Sequence, residues 1–239
     1  MPKRMWGRPA VKVPKWLLAG WNFALAAFSF VGAIHTMPQA MDSLFNRGVR
    51  EALCDSSIMY TSTAYWVFWF DLSKGPEFVD TLLLRLRKRP VILLHWYHHI
   101  MTFAFCIAAN QRVGLRDASG WYFAAMNLTV HSVMYTYYAL AALGYRKQMQ
   151  KMGADIMITT IQITQMVLGI AILAATTDCP YPDDLMWNVG MFMYLSYFVL
   201  FGKLFADKYL QSWFQKPPAK HALYKAAARA VKEQKQKAN

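Results

Sequence analysis

The sequence predicts an all-α protein that crosses a membrane several times. Of its 239 residues, 56% are hydrophobic and only 16% are charged, and the apolar residues are concentrated in long blocks. About six of these blocks approach the roughly 20 residues that a helix needs to cross a bilayer. The basic residues, which give a formal charge of +13, lie between the blocks and in the tail. This distribution indicates membrane topology and argues against nucleic-acid binding.

The predicted spans cover residues 16–37, 59–84, 91–109, 121–143, 156–175 and 185–205. The chain is thus organised as a basic N-terminal segment (residues 1–15), a transmembrane domain (residues 16–208) and a basic tail (residues 209–239). The second span contains Gly75 and Pro76. We expect its helix to bend or break there, because proline lacks the amide donor that a helix interior uses.

The charge distribution also predicts the orientation. Lys and Arg cluster before the first span, between the second and third, between the fourth and fifth, and in the tail. Both termini are therefore expected in the cytosol. Cys54 and Cys179 fall in loops assigned to the opposite, oxidising side, which predicts a disulfide between them, with two free thiols as the alternative. Lys235 and Lys237 match the pattern of endoplasmic reticulum retrieval in a cytosolic tail.

Three histidines lie in an otherwise apolar block. His95, His98 and His99 are spaced i, i+3 and i+4, so their imidazoles share one face of a helix. Ionisable groups are costly inside a bilayer and usually serve a function there. From these residues alone, three interpretations stay open: metal ligation, nucleophilic or proton-relay chemistry, and hydrogen bonding between helices.

Three other spans carry polar residues on one face and at a similar depth. These residues are Lys74, Glu77 and Asp80 in the second span, Asn127, His131, Tyr135 and Tyr138 in the fourth, and Thr159, Gln162 and Gln165 in the fifth. At about 1.5 Å per residue, all lie in the predicted cytosolic half of the membrane. A shared chamber open to the cytosol explains this alignment. The other half of these spans is apolar, which suits an alkyl chain or an ordinary packed core.

Four sequence blocks, in this order, resemble those of the ELO-type fatty acid elongases, the very-long-chain 3-oxoacyl-CoA synthases. KGPEFVDT (residues 74–81) is similar to KxxExxDT, HWYHH (95–99) to HxxHH, HSVMYTYY (131–138) to HxxMYxYY, and TTIQITQ (159–165) to TxxQxxQ. The resemblance covers residues 16–208, and the WY pair is closer to the branch that elongates saturated and monounsaturated chains. It implies six helices forming a barrel around a buried acyl channel. The family usually has seven spans, whereas this sequence predicts six. We therefore expect the family's first span to be missing from it, and a truncated sequence is the alternative.

The resemblance implies a condensing enzyme that joins a long-chain acyl-CoA to malonyl-CoA, its co-substrate, without a metal or another cofactor. We expect His98 to carry the acyl group, assisted by His95, His99 and His131. The residues expected to bind substrate are Lys74, Glu77, Asp80, Asn127, Tyr135, Tyr138, Gln162, Gln165 and Lys203. The family also implies the endoplasmic reticulum membrane and partnership with the reductases and dehydratase of the elongation cycle. A homodimer stays open.

Two other classes of protein are alternatives. Desaturases and hydroxylases with a di-iron centre also carry HxxHH boxes, but such a site needs more ligands than the 6 histidines of this chain supply. Metal analysis of the purified protein discriminates this class. A proton-coupled transporter would also place histidines and carboxylates inside the membrane. No internal repeat in the sequence supports a transporter.

Overall fold

A computed structural model describes residues 11–55, 62–111, 119–179 and 184–210 of the chain. Within these ranges the secondary structure is helical, without strands. The helices are α1 (Lys15–Arg47), α2 (Val49–Cys54), α3 (Ser62–Ser73), α4 (Phe78–Leu86), α5 (Leu93–Gln111), α6 (Ser119–Leu143), α7 (Arg146–Lys151), α8 (Ala154–Ala175) and α9 (Asp184–Phe205), followed by a π-helical turn (Ala206–Leu210). The predicted all-α fold is confirmed. The lysines of the retrieval pattern and the basic residues before residue 11 lie outside the described ranges.

In the part of the chain that the structure describes, three segments are long and apolar enough to cross a membrane by length and composition: Lys15–Arg47, Ala154–Ala175 and Leu185–Leu210. The other predicted spans are also helical but less apolar. The second is divided between α3 and α4, α5 contains three histidines, and α6 contains an asparagine and a histidine. The protein is therefore a multi-pass membrane protein, and the count of six crossings stays a prediction.

Helix α1 is longer than the sequence predicted, since it continues past residue 37 to Arg47. Pro38 lies inside it and removes one backbone hydrogen bond. The helix continues because Ala40 and its neighbours pack into the core cluster that contains Trp121. It ends at Gly48, which has a φ of 79°, a conformation that glycine adopts without a steric penalty.

The helix of the second span breaks at Gly75 and Pro76, as the sequence predicted. Residues 74–77 form a turn between α3 and α4. In this turn the Lys74 amide donates to the Asp71 carbonyl at 3.2 Å, and the Glu77 amide donates to the carbonyl of Ser73, also at 3.2 Å. The turn brings Lys74 and Glu77 into the interior, where each residue is only 3% exposed.

Contacts between neighbouring helices close a ring within residues 1–201, the first of two compact units. The order around the ring is α1, then α3 and α4, then α5, α9, α8 and α6, which packs against α1 again. The side-chain contacts between successive helices are Phe28 with Trp66, Phe78 with Phe103, Thr102 with Tyr197, Trp187 with Leu173, and Gln162 with Met134. This arrangement matches the barrel that the resemblance implied. The second unit comprises residues 202–239 and is described over residues 202–210.

Helices α1 and α6 pack against each other along most of their length. From residue 29 onward the buried residues of α1 are small and include Ser29, Gly32, Thr36, Ala40 and Ser43. Leu128 of α6 approaches Gly32 so closely that a Cβ there would lie 2.9 Å from its Cδ1. Small residues allow such an approach, and close packing is a main source of helix association in lipid. Helix α6 therefore holds its polar residues on a firmly packed support.

A disulfide joins Cys54, at the end of α2, to Cys179, beyond the end of α8. These are the two cysteines that the loop assignment pairs. The bridge connects positions separated by 125 residues in sequence, with their Cα atoms 5.2 Å apart. Cys106 is buried in α5 and takes no part in the bridge.

Gly169 of α8 lies directly against the ring of Tyr194 in α9. A Cβ at Gly169 would lie 2.5 Å from Cδ1 of that ring. Tyr194 is buried, and its ring also packs 4.8 Å from the ring of Phe123. We therefore expect Gly169→Ala to lower the free energy of unfolding by about 1–3 kcal/mol, the usual cost of overpacking a core.

Thermal unfolding in detergent measures this effect. Gly20→Ala is the matched control, because Gly20 is also helical and a Cβ there would have no atom within 4 Å. Equal melting temperatures for the two variants would contradict the close contact between α8 and α9.

Candidate active site

A buried ion pair lies at the centre of the polar residues. The Lys74 Nζ is 2.6 Å from Oε1 of Glu77. Lys74 also donates to Oδ1 of Asn127 at 3.1 Å, and its Nζ lies 4.2 Å from the centre of the Phe70 ring. Burying two charges is costly unless they are paired and further hydrogen-bonded. These contacts provide that compensation, so the interior holds both a cation and a carboxylate.

The carboxylate of Glu77 faces two histidines from different helices. Its Oε1 lies 3.6 Å from Nδ1 of His131, and its Oε2 lies 3.8 Å from Nδ1 of His99. Nε2 of His131 lies 3.3 Å from Nδ2 of Asn127. Because Oδ1 of Asn127 accepts from Lys74, its Nδ2 donates to His131. Neutral His131 therefore carries its proton on Nδ1, directed toward Glu77.

The three histidines of α5 share one face of the helix, as their spacing predicts. The ring centroids of His95 and His99 are 4.5 Å apart, and those of His98 and His99 are 5.6 Å apart. Nε2 of His95 lies 2.9 Å from Oγ1 of Thr81 in α4. This hydrogen bond fixes the orientation of the His95 ring.

His98 differs from the other three site histidines. Its ring packs 4.8 Å from the ring of Tyr197 and 6.5 Å from that of Phe201. Among the described residues, neither imidazole nitrogen of His98 has a hydrogen-bond partner. The other three rings face Thr81, Glu77 and Asn127 through their nitrogens. His98 is thus the site histidine whose ring nitrogens face no polar side chain among the described residues.

Asp80 is bound by donors from two other helices. Oδ1 accepts from the indole Nε1 of Trp21 at 2.6 Å, and Oδ2 accepts from the Tyr135 hydroxyl at 2.8 Å. The Tyr135 ring stands edge-on to His131 with centroids 5.3 Å apart. Asp80 therefore reaches the histidines through Tyr135, and it joins α1, α4 and α6 beside the site.

The other predicted site residues contact different groups. Gln162 donates to Sδ of Met134 at 3.4 Å, and Gln165 is buried. Tyr138 is 45% exposed, with its ring 6.3 Å from that of Tyr135. In the second unit, Lys203 pairs with Asp207 at 2.8 Å. The structure groups together Lys74, Glu77, His95, His98, His99, Asn127 and His131.

Three residues that contact predicted site residues had no role assigned from sequence. Thr81 lies within the KGPEFVDT block, while Trp21 and Tyr197 are aromatic residues of apolar spans. A buried indole or phenol usually finds a hydrogen-bond partner. That rule predicts that partners exist for Trp21 and Tyr197 but does not identify them.

Together the fold and the site define a multi-pass helical membrane enzyme with a buried imidazole, carboxylate and lysine centre. The family model described as ELO, the GNS1/SUR4 family, matches residues 1–217. Over 201 residues the chain is 40% identical to very long chain fatty acid elongase 4 of Trypanosoma cruzi, covering 80% of this chain and 68% of that protein. The chain belongs to the ELO family of fatty acid elongases.

Two further relatives come from animals. The chain is 37% identical over 198 residues to very long chain fatty acid elongase 6 of Gallus gallus, covering 80% of this chain and 72% of the relative. It is also 37% identical over 204 residues to long chain fatty acid elongase 2 of Caenorhabditis elegans, covering 81% and 72%. These matches confirm the family and the enzyme class that the four sequence blocks predicted.

Proposed function

We propose that this elongase condenses a long-chain acyl-CoA with malonyl-CoA through an acyl group carried on His98. The site histidines differ in their neighbours, and this difference supports the assignment. Among the described residues, the rings of His95, His99 and His131 each face a polar side chain, whereas the ring of His98 packs against other rings. An acyl acceptor needs an unoccupied lone pair, and His98 offers one.

In the first half-reaction a ring nitrogen of His98 attacks the carbonyl carbon of the acyl thioester. The new nitrogen–carbon bond forms as the carbon–sulfur bond breaks, and CoA leaves after taking up a proton. The second ring nitrogen of His98 gives up its proton. His99, beside His98 and facing Glu77, is placed to relay that proton. The enzyme then carries an acyl-imidazole.

In the second half-reaction malonyl-CoA loses carbon dioxide, and the electron pair of the broken bond forms an enolate. The enolate carbon attacks the acyl carbonyl, the new carbon–carbon bond forms, and the bond to His98 breaks. The products are 3-oxoacyl-CoA, carbon dioxide and CoA, with one proton taken up per turnover. Lys74, Asn127 and His131 form the adjacent polar group, and we assign them to stabilising the enolate oxygen.

We further propose that the enzyme lies in the endoplasmic reticulum membrane with both termini in the cytosol. The segregation of basic residues supports this orientation, and the disulfide between Cys54 and Cys179 suits an oxidising opposite side. The CoA phosphates would be bound by Arg85, Arg89, Arg146 and Lys147. Because the product is a 3-oxoacyl-CoA, the enzyme requires reductases and a dehydratase as functional partners.

The direct test uses purified protein in detergent, isotope-labelled malonyl-CoA and a panel of saturated and unsaturated acyl-CoAs. We expect labelled 3-oxoacyl-CoA by mass spectrometry, together with equimolar carbon dioxide and free CoA, when both substrates are present. Omitting the acyl-CoA should abolish the labelled product. Folded protein that yields no 3-oxoacyl-CoA with any member of the panel would contradict the proposed reaction.

A further inference from the structure

Tyr197 of α9 makes two kinds of contact with the segment of α5 that carries His98. Its hydroxyl lies 2.9 Å from Oγ1 of Thr102 and donates to the backbone carbonyl of His98 at 3.2 Å. Its ring packs against the His98 imidazole, with centroids 4.8 Å apart and planes inclined at 42°. Tyr197 is only 2% exposed. One side chain thus contacts both the backbone and the ring of the same histidine.

These contacts restrict His98 in two ways. The hydroxyl bonds fix the position of the α5 backbone at His98 relative to α9. The contact with the Tyr197 ring limits rotation of the His98 imidazole about its side-chain torsions. The His99 ring, whose centroid lies 5.6 Å from that of His98, limits it further. A nucleophilic side chain without an orienting hydrogen bond depends on packing for its orientation. Small misplacements of the reacting atoms lower the reaction rate strongly.

We propose that Tyr197 is a positioning residue that holds the His98 imidazole in the orientation needed for acyl transfer. This inference rests on the proposed function, in which His98 receives the acyl group. Tyr197 does not need to touch the substrate for this role. It acts through His98. The hydroxyl of Tyr197 is as important as its ring, because the hydrogen bonds of the hydroxyl fix the position of the Tyr197 ring beside His98.

A second tyrosine provides a matched control. The Tyr97 hydroxyl lies 2.9 Å from Oγ of Ser196, so it also joins α5 to α9 by one side-chain hydrogen bond of the same length. Tyr97→Phe removes that bond and leaves the contacts between Tyr197 and His98 in place. Tyr197→Phe removes the bonds to Thr102 and to the His98 carbonyl. A purely structural role in joining the two helices predicts the same result for both variants.

The experiment mixes each purified protein with palmitoyl-CoA in the absence of malonyl-CoA and follows the acyl-protein adduct by intact-protein mass spectrometry. We expect Tyr197→Phe to slow formation of the adduct by roughly tenfold, with the KM for palmitoyl-CoA unchanged in the complete reaction. Tyr97→Phe should form the adduct at the wild-type rate. Thr102→Val removes one of the two hydroxyl bonds of Tyr197 and should slow adduct formation in the same direction, whereas Thr102→Ser, which retains the hydroxyl, should keep the wild-type rate.

Equal adduct rates for Tyr197→Phe and Tyr97→Phe, with wild-type protein acylated, would overturn the positioning role alone. A wild-type protein that forms no adduct, while still producing 3-oxoacyl-CoA, would overturn both this inference and the acyl-histidine step. If Tyr197→Phe fails to fold, Thr102→Val decides, because it removes one end of the same contact and leaves the ring of Tyr197 in place.

Discussion

Replacing Glu77 with alanine is expected to destabilise the protein severely and to abolish elongation. The substitution leaves the ammonium group of Lys74 buried at 3% exposure without its carboxylate partner. Removing one member of a buried ion pair typically costs about 3–5 kcal/mol. His99 and His131 would also lose the carboxylate that both face. Thermal unfolding and the elongation assay measure the two consequences.

A surface ion pair supplies the control for Glu77. Glu51 pairs with Arg47 at 3.2 Å, but its side chain is 64% exposed. Glu51→Ala is therefore expected to change the free energy of unfolding by no more than about 1 kcal/mol and to retain activity. If Glu77→Ala and Glu51→Ala had the same melting temperature, the ion pair between Lys74 and Glu77 would not be buried as the structure describes.

A double substitution separates stability from chemistry at the same position. Replacing a buried ion pair with apolar residues of similar volume is often neutral or stabilising. We expect Lys74→Met combined with Glu77→Leu to recover most of the stability that Glu77→Ala loses, while remaining inactive. Recovery of elongation by this double variant would remove Lys74 and Glu77 from the mechanism.

Replacing His98 is expected to remove most of the turnover without unfolding the protein. Without the acyl acceptor, His98→Ala should lose roughly three orders of magnitude or more in elongation rate. The protein should still fold, because the half-buried His98 ring makes no side-chain hydrogen bond in the described part of the chain. The labelled malonyl-CoA assay measures the rate, and thermal unfolding checks the fold.

His35→Ala is the matched control for this substitution. His35 stacks on Trp66, with ring centroids 5.2 Å apart, and is solvent- or lipid-exposed. We assign it no part in the reaction, so its variant should elongate at the wild-type rate. If His98→Ala were as active as His35→Ala, His98 would not be the acyl acceptor and another group would have to take that role.

The sequence allowed much of the fold to be predicted because apolar length and charge segregation are strong signals in a membrane protein. The helical spans, the break at Gly75 and Pro76 and the shared face of the three α5 histidines all follow from chain-local rules. The end of α1 was placed too early. Residues 38–47 remain helical because they pack against α6, and that contact is not encoded in the local pattern.

The composition of the site was predictable, but its internal pairings were not. Spacing indicated that Lys74 and Glu77 approach one another, yet the bond from Lys74 to Asn127 joins residues separated by 53 positions. Such contacts depend on which helices are neighbours and how each is rotated about its axis. For the same reason no role was assigned from sequence to Trp21 and Tyr197, which contact the site from helices that carry none of the four blocks.

In the proposed mechanism His98 carries the acyl group between two half-reactions. Intact-protein mass spectrometry after incubation with acyl-CoA alone detects this acyl-enzyme. We expect wild-type protein to gain the mass of one acyl group and to lose it on addition of malonyl-CoA, with release of 3-oxoacyl-CoA, whereas His98→Ala should gain no mass. Active wild-type protein that never gains this mass, or a His98→Ala protein that does, would exclude His98 as the acyl carrier.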